Sequence, residues 1–184
     1  MRHLTTKELE ADLETIRQSP EDNGILKLIV WRPRENEREV LEEGELNSIE
    51  GLVDDNWKIR ASSHTANGSA HPDMQLNIIN SRVAALVARE KSRWQLAGDQ
   101  LYIDLDLSDE NLPPGTQLAI GSAIIEVTAQ LHTGCRKFVE RFGLDTMRFV
   151  NSPIGKKLHL RGINAKVVQT GRIQVNDLAK KIKV

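Results

Sequence analysis

The chain has 184 residues, a formal net charge of −1 and a single cysteine. Its length predicts one domain with an ordinary hydrophobic core, and the lone cysteine excludes an internal disulfide and any cysteine-based zinc site on this chain. No apolar run approaches the ~20 residues that a membrane-spanning helix needs, and the N-terminus lacks the pattern of a signal peptide. We therefore expect a cytoplasmic protein that does not contact membranes.

The first predicted element is a helix. Thr5 and Glu8 have capping-box spacing, and apolar residues continue at helical intervals, namely Leu9, Leu13 and Ile16. A β-branched, strongly apolar run at residues 25–31 then predicts a strand. This pattern assigns residues 1–24 to an N-terminal helical appendage and residues 25–184 to the main domain.

Further strands are predicted wherever short apolar or alternating runs are bounded by turn residues. They are residues 38–46, 75–80, 100–107, 117–129 (a hairpin turning at Gly121 and Ser122), 158–160, 163–169 and 172–175. Gly44 is expected to turn the first of them. Residues 47–74 are expected to be irregular, with a loop at 61–70.

The remaining helices are predicted from their ends. Asn80 or Ser81 caps one of them, and a second runs over residues 135–142 to Gly143. Asp145 caps a further short helix. Some eight short strands without a repeated β–α unit predict a mainly β, α+β fold, a β-barrel with peripheral helices, rather than a parallel sheet.

Charge is distributed unevenly along the chain. Residues 131–184 hold 12 basic against 3 acidic residues, net +9, and end in Lys180, Lys181 and Lys183, whereas the preceding 130 residues are net acidic. A basic segment attracts anionic partners. The anionic partner could be a phosphorylated small molecule or a nucleic acid. The alternative is that these charges serve only to keep the protein soluble. Since no nucleic-acid-binding signature is visible and aromatic residues are few, we do not expect nucleic acid.

Cys135 is the first candidate for chemistry. It lies at a predicted helix start, after His132, Thr133 and Gly134 and before Arg136 and Lys137. Helix N-termini and nearby cations stabilise a thiolate, and free backbone N–H groups there can hold an anion. Gly134 would let a ligand approach the backbone closely. The alternative is a buried, inert cysteine.

Other catalytic patterns are absent from the sequence or weak. The five histidines show no metal-ligand spacing, and there is no phosphate-binding glycine loop or serine nucleophile elbow. Asp54 and Asp55 are adjacent acids that could share a proton or hold a cation, or that could simply form a solvated turn.

Residues 98–142 resemble the MOSC domain, the C-terminal domain of molybdenum cofactor sulfurases that also occurs as small stand-alone bacterial proteins. The resemblance is carried by several short matches: Gly98-Asp99-Gln100-Leu101, Leu105-Asp106-Leu107-Ser108, Leu112-Pro113-Pro114-Gly115-Thr116, Ile125-Glu126-Val127-Thr128 and Thr133-Gly134-Cys135-Arg136-Lys137-Phe138. Upstream, residues 51–57 and 75–79 are similar to further family segments, although Asp54 stands where the family usually has glycine. In all, the likeness runs from near Arg38 to near Val175.

The resemblance implies a MOSC-type β-barrel with its single cysteine in a cleft. By that resemblance the sulfur of Cys135 is the reactive atom and would ligate the molybdenum of the cofactor. The residues expected to hold an anionic cofactor or to line the cleft are Thr133, Gly134, Arg136, Lys137, Arg141, His132, Asn77 and Asp99. Pyridoxal phosphate is associated with the family through full-length sulfurases, whose aminotransferase-like domain has no counterpart here, so we do not expect that cofactor.

Three functions follow from the resemblance and stay open at this point. The first is a molybdenum-cofactor (molybdopterin) oxidoreductase that reduces N-hydroxylated compounds with an external reductase. The second is a carrier that accepts sulfur on Cys135 as a persulfide from a sulfur-donor protein and passes it on. The third is a binding module without turnover.

Overall fold

The computed structural model describes residues 2–62 and 65–182. His64, in the predicted 61–70 loop, and Lys183, in the basic tail, lie outside the described residues.

The described residues form short helices and short strands. The α-helices are α1 (Thr6–Ala11), α2 (Leu13–Arg17), α3 (Ser81–Ala88), α4 (Arg136–Phe142), α5 (Leu144–Val150) and α6 (Pro153–Lys157). The strands are β1 (Gly24–Trp31), β2 (Glu39–Leu41), β3 (Glu43–Asn47), β4 (Gly51–Leu52), β5 (Leu76–Asn80), β6 (Leu101–Asp104), β7 (Gln117–Ile120), β8 (Ala123–Val127), β9 (Ile163–Gln169), β10 (Gly171–Gln174) and β11 (Leu178–Lys181). The 3₁₀ turns cover Asn56–Ile59, Pro72–Met74 and Lys91–Ala97.

Seven strands close into a barrel, as the predicted fold class requires. The order is β11-β7-β8-β9-β5-β6-β1, and β1 pairs back onto β11 through Gly24 and Ile25. Among the strands of the described residues, only β5 and β6 pair in parallel. Strand β2 pairs with β1 but is not one of the seven strands that close the barrel. Strands β10, β3 and β4 form a separate small sheet. Full closure leaves the barrel without an open edge.

Strand β1 is apolar on both faces, and its side chains contribute to two different hydrophobic clusters, one inside the barrel and one outside it. Its register against β6 shifts between Leu26 and Leu28. Such a bulge reverses the alternation of side chains along a strand. Leu26 and Ile29 therefore point into the barrel, while Leu28 and Val30 join the outer cluster beneath the helices.

The outer cluster holds the helices against the barrel wall. Its members are buried apolar side chains from several elements, including Leu9 and Ile16 of the first two helices and Phe138, Phe142 and Phe149 of α4 and α5. The residues predicted to be an N-terminal appendage thus bury two apolar side chains, Leu9 and Ile16, against the rest of the protein. Burying a Leu or Ile side chain stabilises a fold by roughly 1.5–3 kcal/mol.

Most predicted helix ends are confirmed. The Thr5 side chain accepts from the Glu8 N–H and the Glu8 side chain accepts from the Thr5 N–H, which completes the capping box. Asn80 caps α3, and Gly143 ends α4. The prediction for Asp145 is wrong, because Gly143 is the N-cap of α5 and Asp145 lies in the first turn, where it accepts from the Thr6 N–H.

Four strand predictions need correction. Gly44 does not turn the chain but lies inside β3, paired with Ile173 of β10. Residues 158–160 are not a strand, because His159 has a φ of 47° in a turn after α6. The irregular stretch at 47–74 contains β4. The basic tail forms β11, which closes the barrel.

Strand directions bring several loops to one end of the barrel. β6 is antiparallel to β1 and parallel to β5. The residues that follow β1 therefore lie beside those that precede β5 and β6. This end of the barrel carries the polar side chains described next. Among the helices that the structure describes, none is long and apolar enough to cross a membrane.

Candidate functional site

Cys135 lies at the surface, immediately before α4. It is a free thiol and is exposed, so the alternative of a buried, inert cysteine is not what the structure shows. As N-cap of α4 its backbone carbonyl accepts from Phe138 and Val139, while its side chain caps nothing. The sulfur is thus free to meet a ligand or a partner.

The residues just before Cys135 are placed by packing. Thr133 is exposed. Gly134 lies against α5, where a Cβ would overlap the sulfur of Met147, and its N–H points to Asn151 Oδ1 at 3.5 Å. Only glycine fits this contact without a shift of Met147. This packing gives Gly134 a structural reason to be glycine that sequence reasoning had not identified.

The two cations after Cys135 make their ion pairs elsewhere. Arg136 pairs with Glu140 one turn along α4 at 3.0 Å, and its side chain is 93% exposed. Lys137 pairs with Glu35 at 2.6 Å and reaches Asn36 Oδ1 at 3.0 Å. Lys137 thereby ties the loop between β1 and β2 to the helix that Cys135 begins.

Four arginines from three segments of the chain form one electrostatic group, since Arg38 lies within reach of the other three, and one of these, Arg60, is also within reach of Cys135. We call Arg32, Arg38, Arg60 and Arg141 the arginine cluster. Among these residues only Arg141 was predicted from the sequence.

Arg32 is the member of the arginine cluster whose positive charge is balanced by a carboxylate, that of Asp55. It forms a fork with Asp55, with Nε to Oδ2 at 2.9 Å and Nη2 to Oδ1 at 2.7 Å, and both side chains are buried. Its Nη1 donates to Asn77 Oδ1 and to the Gly98 carbonyl, each at 3.2 Å. Asp55 is therefore neither a solvated turn residue nor half of an acid pair.

Asp54, next to it, has a φ of 66°. This left-handed conformation suits glycine best and aspartate tolerably, which accounts for an Asp where the resembled family has glycine. The backbone can therefore turn there without glycine.

Gly98 forms a cradle between two members of the arginine cluster. It has a φ of +93°, and a Cβ built there would lie 3.6 Å from Nη2 of Arg38 and 3.8 Å from Nη1 of Arg141. Nη1 of Arg141 also donates to the Leu96 carbonyl at 2.8 Å. We call this space, which both guanidinium groups border, the Gly98 cradle.

The arginine cluster has more positive than negative charge. Among the described residues, Arg38, Arg60 and Arg141 have no ion pair within 4 Å. Nε of Arg38 is buried and has no hydrogen-bond partner. Desolvation by burial lowers the pKa of Arg38, and the charge of Arg141 lowers it further. Arginine stays charged at neutral pH despite such shifts, so the surplus persists.

Arg60 links the arginine cluster to Cys135. Although the residue is exposed, partial desolvation lowers the pKa of its guanidinium and the charge of Arg32 lowers it further, while Asp55, Glu35 and Cys135 act in the opposite direction. Cys135 thus lies within the electrostatic reach of an arginine that the sequence did not single out.

Asp99 is buried in an ion pair. Both of its carboxylate oxygens accept from Nη1 of Arg161, at 3.0 and 2.9 Å, and Nη2 of Arg161 donates to the Ala97 carbonyl at 3.1 Å. Burial raises the pKa of Asp99, and the charge of Arg161 opposes the rise. The Arg161 guanidinium also lies 4.8 Å over the ring of Phe138 in α4.

His132 lies against the same carboxylate. Its Nδ1 is 3.4 Å from Asp99 Oδ1 but makes no hydrogen bond. Burial, with the charges of Arg161 and Arg32, holds the pKa of His132 well below its usual range, so the imidazole is neutral. His132 therefore contributes no positive charge to the site.

Asn77 belongs to a polar network rather than to a free surface. Its Nδ2 donates to Asn164 Oδ1 at 2.6 Å, and its N–H donates to Gln100 Oε1 at 2.8 Å. Gln100 in turn donates to the Gln75 carbonyl at 3.0 Å. Asn77 thereby holds Arg32 in place. Within the described ranges no group of three or more metal-ligating side chains is present.

The sequence missed Arg32, Arg38, Arg60, Arg161 and Gly98. Each stands in a polar loop where one more charge or glycine is ordinary. The pairing of Arg32 with Asp55, 23 residues apart, had no local signal. Gly98 was noted only as part of a family match.

Comparisons with solved structures establish the fold. The YuaD protein from Bacillus subtilis superposes with a TM-score of 0.65 at 12% identity, over 86% of this chain and 94% of that one. A hypothetical protein of known crystal structure gives 0.59 at 20% identity, over 92% and 72% of the two chains. YiiM from Escherichia coli, which is a MOSC-domain protein, gives 0.56 at 19% identity, over 87% and 70%.

The fold is a MOSC-type barrel. Seven closed strands with a few helices agree with that class, as the sequence predicted. No protein-family model and no curated protein sequence matches the chain. At these low identities the structural likeness establishes the fold alone.

Proposed function

We propose that the protein binds the molybdenum cofactor, with Cys135 as the ligand to the metal and the arginine cluster as the site for the cofactor's anionic part. One observation carries the proposal. An exposed thiol lies within electrostatic reach of Arg60, which belongs to a cluster with surplus positive charge in which Arg38 keeps a buried Nε without a partner. The resemblance of the Thr133-Gly134-Cys135 segment to the MOSC domain supplies the identity of the cofactor.

The residues present fit such a group. A buried donor without a partner costs roughly 1–3 kcal/mol, and an anionic oxygen placed at Arg38 would recover it. The Gly98 cradle leaves room for a ligand atom between Arg38 and Arg141. Arginine suits phosphate because its planar guanidinium donates in pairs. A thiolate is a soft ligand of the kind that transition metals accept.

The buried ion pairs fix this geometry. Arg32 with Asp55 and Arg161 with Asp99 are neutral units that hold the loops in place.

When bound, the cofactor would supply two-electron chemistry at its metal, such as reduction of an N-hydroxylated compound. Cys135 would hold the metal, and Arg38, Arg60 and Arg141 would bind and orient the anionic end. With one cysteine, the chain has no iron–sulfur cluster ligands of its own, so electrons would come from a reductase.

A sulfur carrier is the second candidate, and the exposure of Cys135 favours it. The Cys135 thiolate would attack a donor's persulfide, form a Cys135 persulfide, and leave the donor as a thiol. Since Cys135 is the only cysteine, no second thiol of the same chain could collapse that persulfide into an internal disulfide. An exposed sulfur is also accessible to donor and acceptor proteins.

Composition analysis of the protein separates these functions. The chain would be made in a host that synthesises the molybdenum cofactor and then assayed for molybdenum and for sulfane sulfur. The proposal predicts near-stoichiometric molybdenum. Sulfane sulfur on Cys135 without molybdenum would support the carrier instead, and absence of both would contradict both functions.

A further inference from the structure

A small pocket lies beside the loop that leads to Cys135. It has a volume of about 80 Å³ and is lined by residues 127–132 together with Pro114 and Ile163. Its titratable side chains are His132, His159 and Asp109. This pocket is separate from the Gly98 cradle, and the proposed cofactor role makes no use of it.

Of the two histidines, only His132 has an unused ring nitrogen. In His159, Nδ1 lies 2.7 Å from the Leu107 carbonyl and Nε2 lies 2.9 Å from Asp109 Oδ1, so both nitrogens are occupied. In His132 neither nitrogen makes a hydrogen bond to a residue that the structure describes, and Nδ1 is the one buried near Asp99. The His132 side chain is 11% exposed and lines the pocket, and Nε2, unlike Nδ1, is not a fully buried atom.

Asp99 decides which nitrogen of His132 carries the proton. A neutral imidazole has one N–H and one acceptor nitrogen. If the proton were on Nε2, the lone pair of Nδ1 would face a buried carboxylate oxygen at 3.4 Å, two acceptors without a hydrogen between them. With the proton on Nδ1, the positive end of the N–H lies near the carboxylate, which is favourable even without a hydrogen bond, and Nε2 becomes the acceptor. The two hydrogen bonds from Nη1 of Arg161 keep Asp99 in this position.

We propose that this pocket binds a small molecule that donates an N–H or O–H hydrogen bond to Nε2 of His132. The apolar side chains of Pro114, Val127 and Ile163 would contact the rest of that molecule. The chemical class is thus a small, neutral, partly apolar hydrogen-bond donor. Neither an anion nor a metal ion fits this site, because an acceptor nitrogen repels the first and the described residues offer too few ligands for the second.

The probes are pyrrole and furan, five-membered rings of similar size of which only pyrrole donates a hydrogen bond. The sample is the full chain labelled with ¹⁵N, without added cofactor. Long-range ¹H–¹⁵N spectra should show His132 as the Nδ1–H tautomer. Pyrrole should shift its Nε2 resonance in a saturable way, and furan should not. Because no cofactor is needed, this result is independent of the molybdenum assay.

Variants complete the experiment. His132→Phe should lower pyrrole affinity about fivefold, the effect of losing one neutral hydrogen bond. His71→Gln, a histidine outside the pocket, should bind pyrrole like the unmodified protein. Equal binding of furan and pyrrole, an Nε2–H tautomer of His132, or unchanged affinity in His132→Phe would each overturn the proposal. The tautomer is read in the unmodified protein, so the test does not depend on a variant that folds.

Discussion

At the scale of single residues, partners decide what each guanidinium can do. Arg32 and Arg161 are paired with buried carboxylates, so their charge is already balanced, although Nε of Arg161 is also buried without a hydrogen-bond partner. Arg38 keeps a buried donor without a partner. Removing one member of a buried pair typically costs about 3–5 kcal/mol of stability, whereas removing an unbalanced cation costs little. Arg38 is therefore the residue at which ligand binding can be changed without unfolding the protein.

Arg38→Gln should weaken binding of a pterin phosphate about tenfold or more, because one charge-assisted hydrogen bond is worth roughly 1.5–3 kcal/mol. Raising the ionic strength should weaken binding to the unmodified protein as well. Titration at two salt concentrations measures both effects. The control Arg172→Gln removes an exposed charge on β10 and should leave affinity nearly unchanged. If both variants lost affinity equally, the arginine cluster would not be the binding site for the pterin phosphate.

His132 should make stability depend on pH. Burial and the charges of Arg161 and Arg32 hold its pKa well below 6.5 in the folded protein, whereas in the unfolded chain it titrates near that value. Below about pH 6.5 the unfolded chain therefore binds a proton that the folded protein excludes. The free energy of unfolding should then fall by up to ~1.4 kcal/mol per pH unit.

Denaturant titrations at pH 6.5 and pH 5.5 measure this dependence. The variant His132→Gln cannot take up that proton and should lose this part of the slope. The same slope in the variant as in the unmodified protein would show that another group is responsible.

At the scale of elements, the loop between β1 and β2 is tied to α4. The tie is an ion pair of Glu35 with Lys137, and both side chains are largely exposed, at 79% and 46%. Exposed pairs contribute roughly 0–1 kcal/mol, so this contact positions the loop more than it stabilises the fold. Glu35 also acts on Arg60 electrostatically. Its negative charge offsets part of the surplus in the arginine cluster.

Glu35→Gln should therefore strengthen pterin phosphate binding, by about twofold to fivefold at low salt, because one opposing charge is removed. The sign is opposite to that expected for Arg38→Gln. The unfolding midpoint should hardly move. Weaker binding in Glu35→Gln would mean that the tie to Lys137 matters more than the charge of Glu35.

Local signals explain which elements the sequence could predict. Capping residues such as Thr5 and Asn80 satisfy backbone groups within their own turn, so a short sequence window contains the whole cause. Residues 158–160 alternate like a strand, but the left-handed backbone of His159 forbids one. Gly44 looked like a turn because glycine is rare in strands, yet a Cβ there would lie 3.0 Å from Leu52. The error at Gly44 thus comes from a tertiary contact, and the error at 158–160 from a backbone conformation that the alternating pattern does not reveal.

At the scale of the whole molecule, β11 closes the barrel. It lies between β7 and β1 and buries Ala179 completely. Of the four residues Leu178-Ala-Lys-Lys181, only Ala179 is buried. The sequence therefore lacks the alternating apolar pattern that would predict a strand. Likewise, the arginine cluster joins loops that are far apart in sequence and could be seen only after folding. The fold class and the position of Cys135 at a helix start were accessible from the sequence, while the arginine cluster was mostly not.

Ala179→Pro should destabilise the protein by ~3 kcal/mol or more, because proline cannot donate to the ladder and has no place in a central strand. Equilibrium denaturation measures the change. Lys180→Gln, on the exposed face of the same strand, should stay within about 0.5 kcal/mol of the unmodified protein. A small effect of Ala179→Pro would mean that the barrel does not need its closing strand.

The central claim is that Cys135 holds the metal of a cofactor, and Cys135→Ser tests it most directly. Because Cys135 is exposed, a serine there should leave the melting temperature within about 2 °C of the unmodified protein. Serine oxygen stays protonated near neutrality and is a poor soft ligand. Both proteins would be purified from one cofactor-producing host and their molybdenum content compared. The account predicts near-stoichiometric molybdenum in the unmodified protein and almost none in a folded Cys135→Ser; equal molybdenum in the two would contradict it.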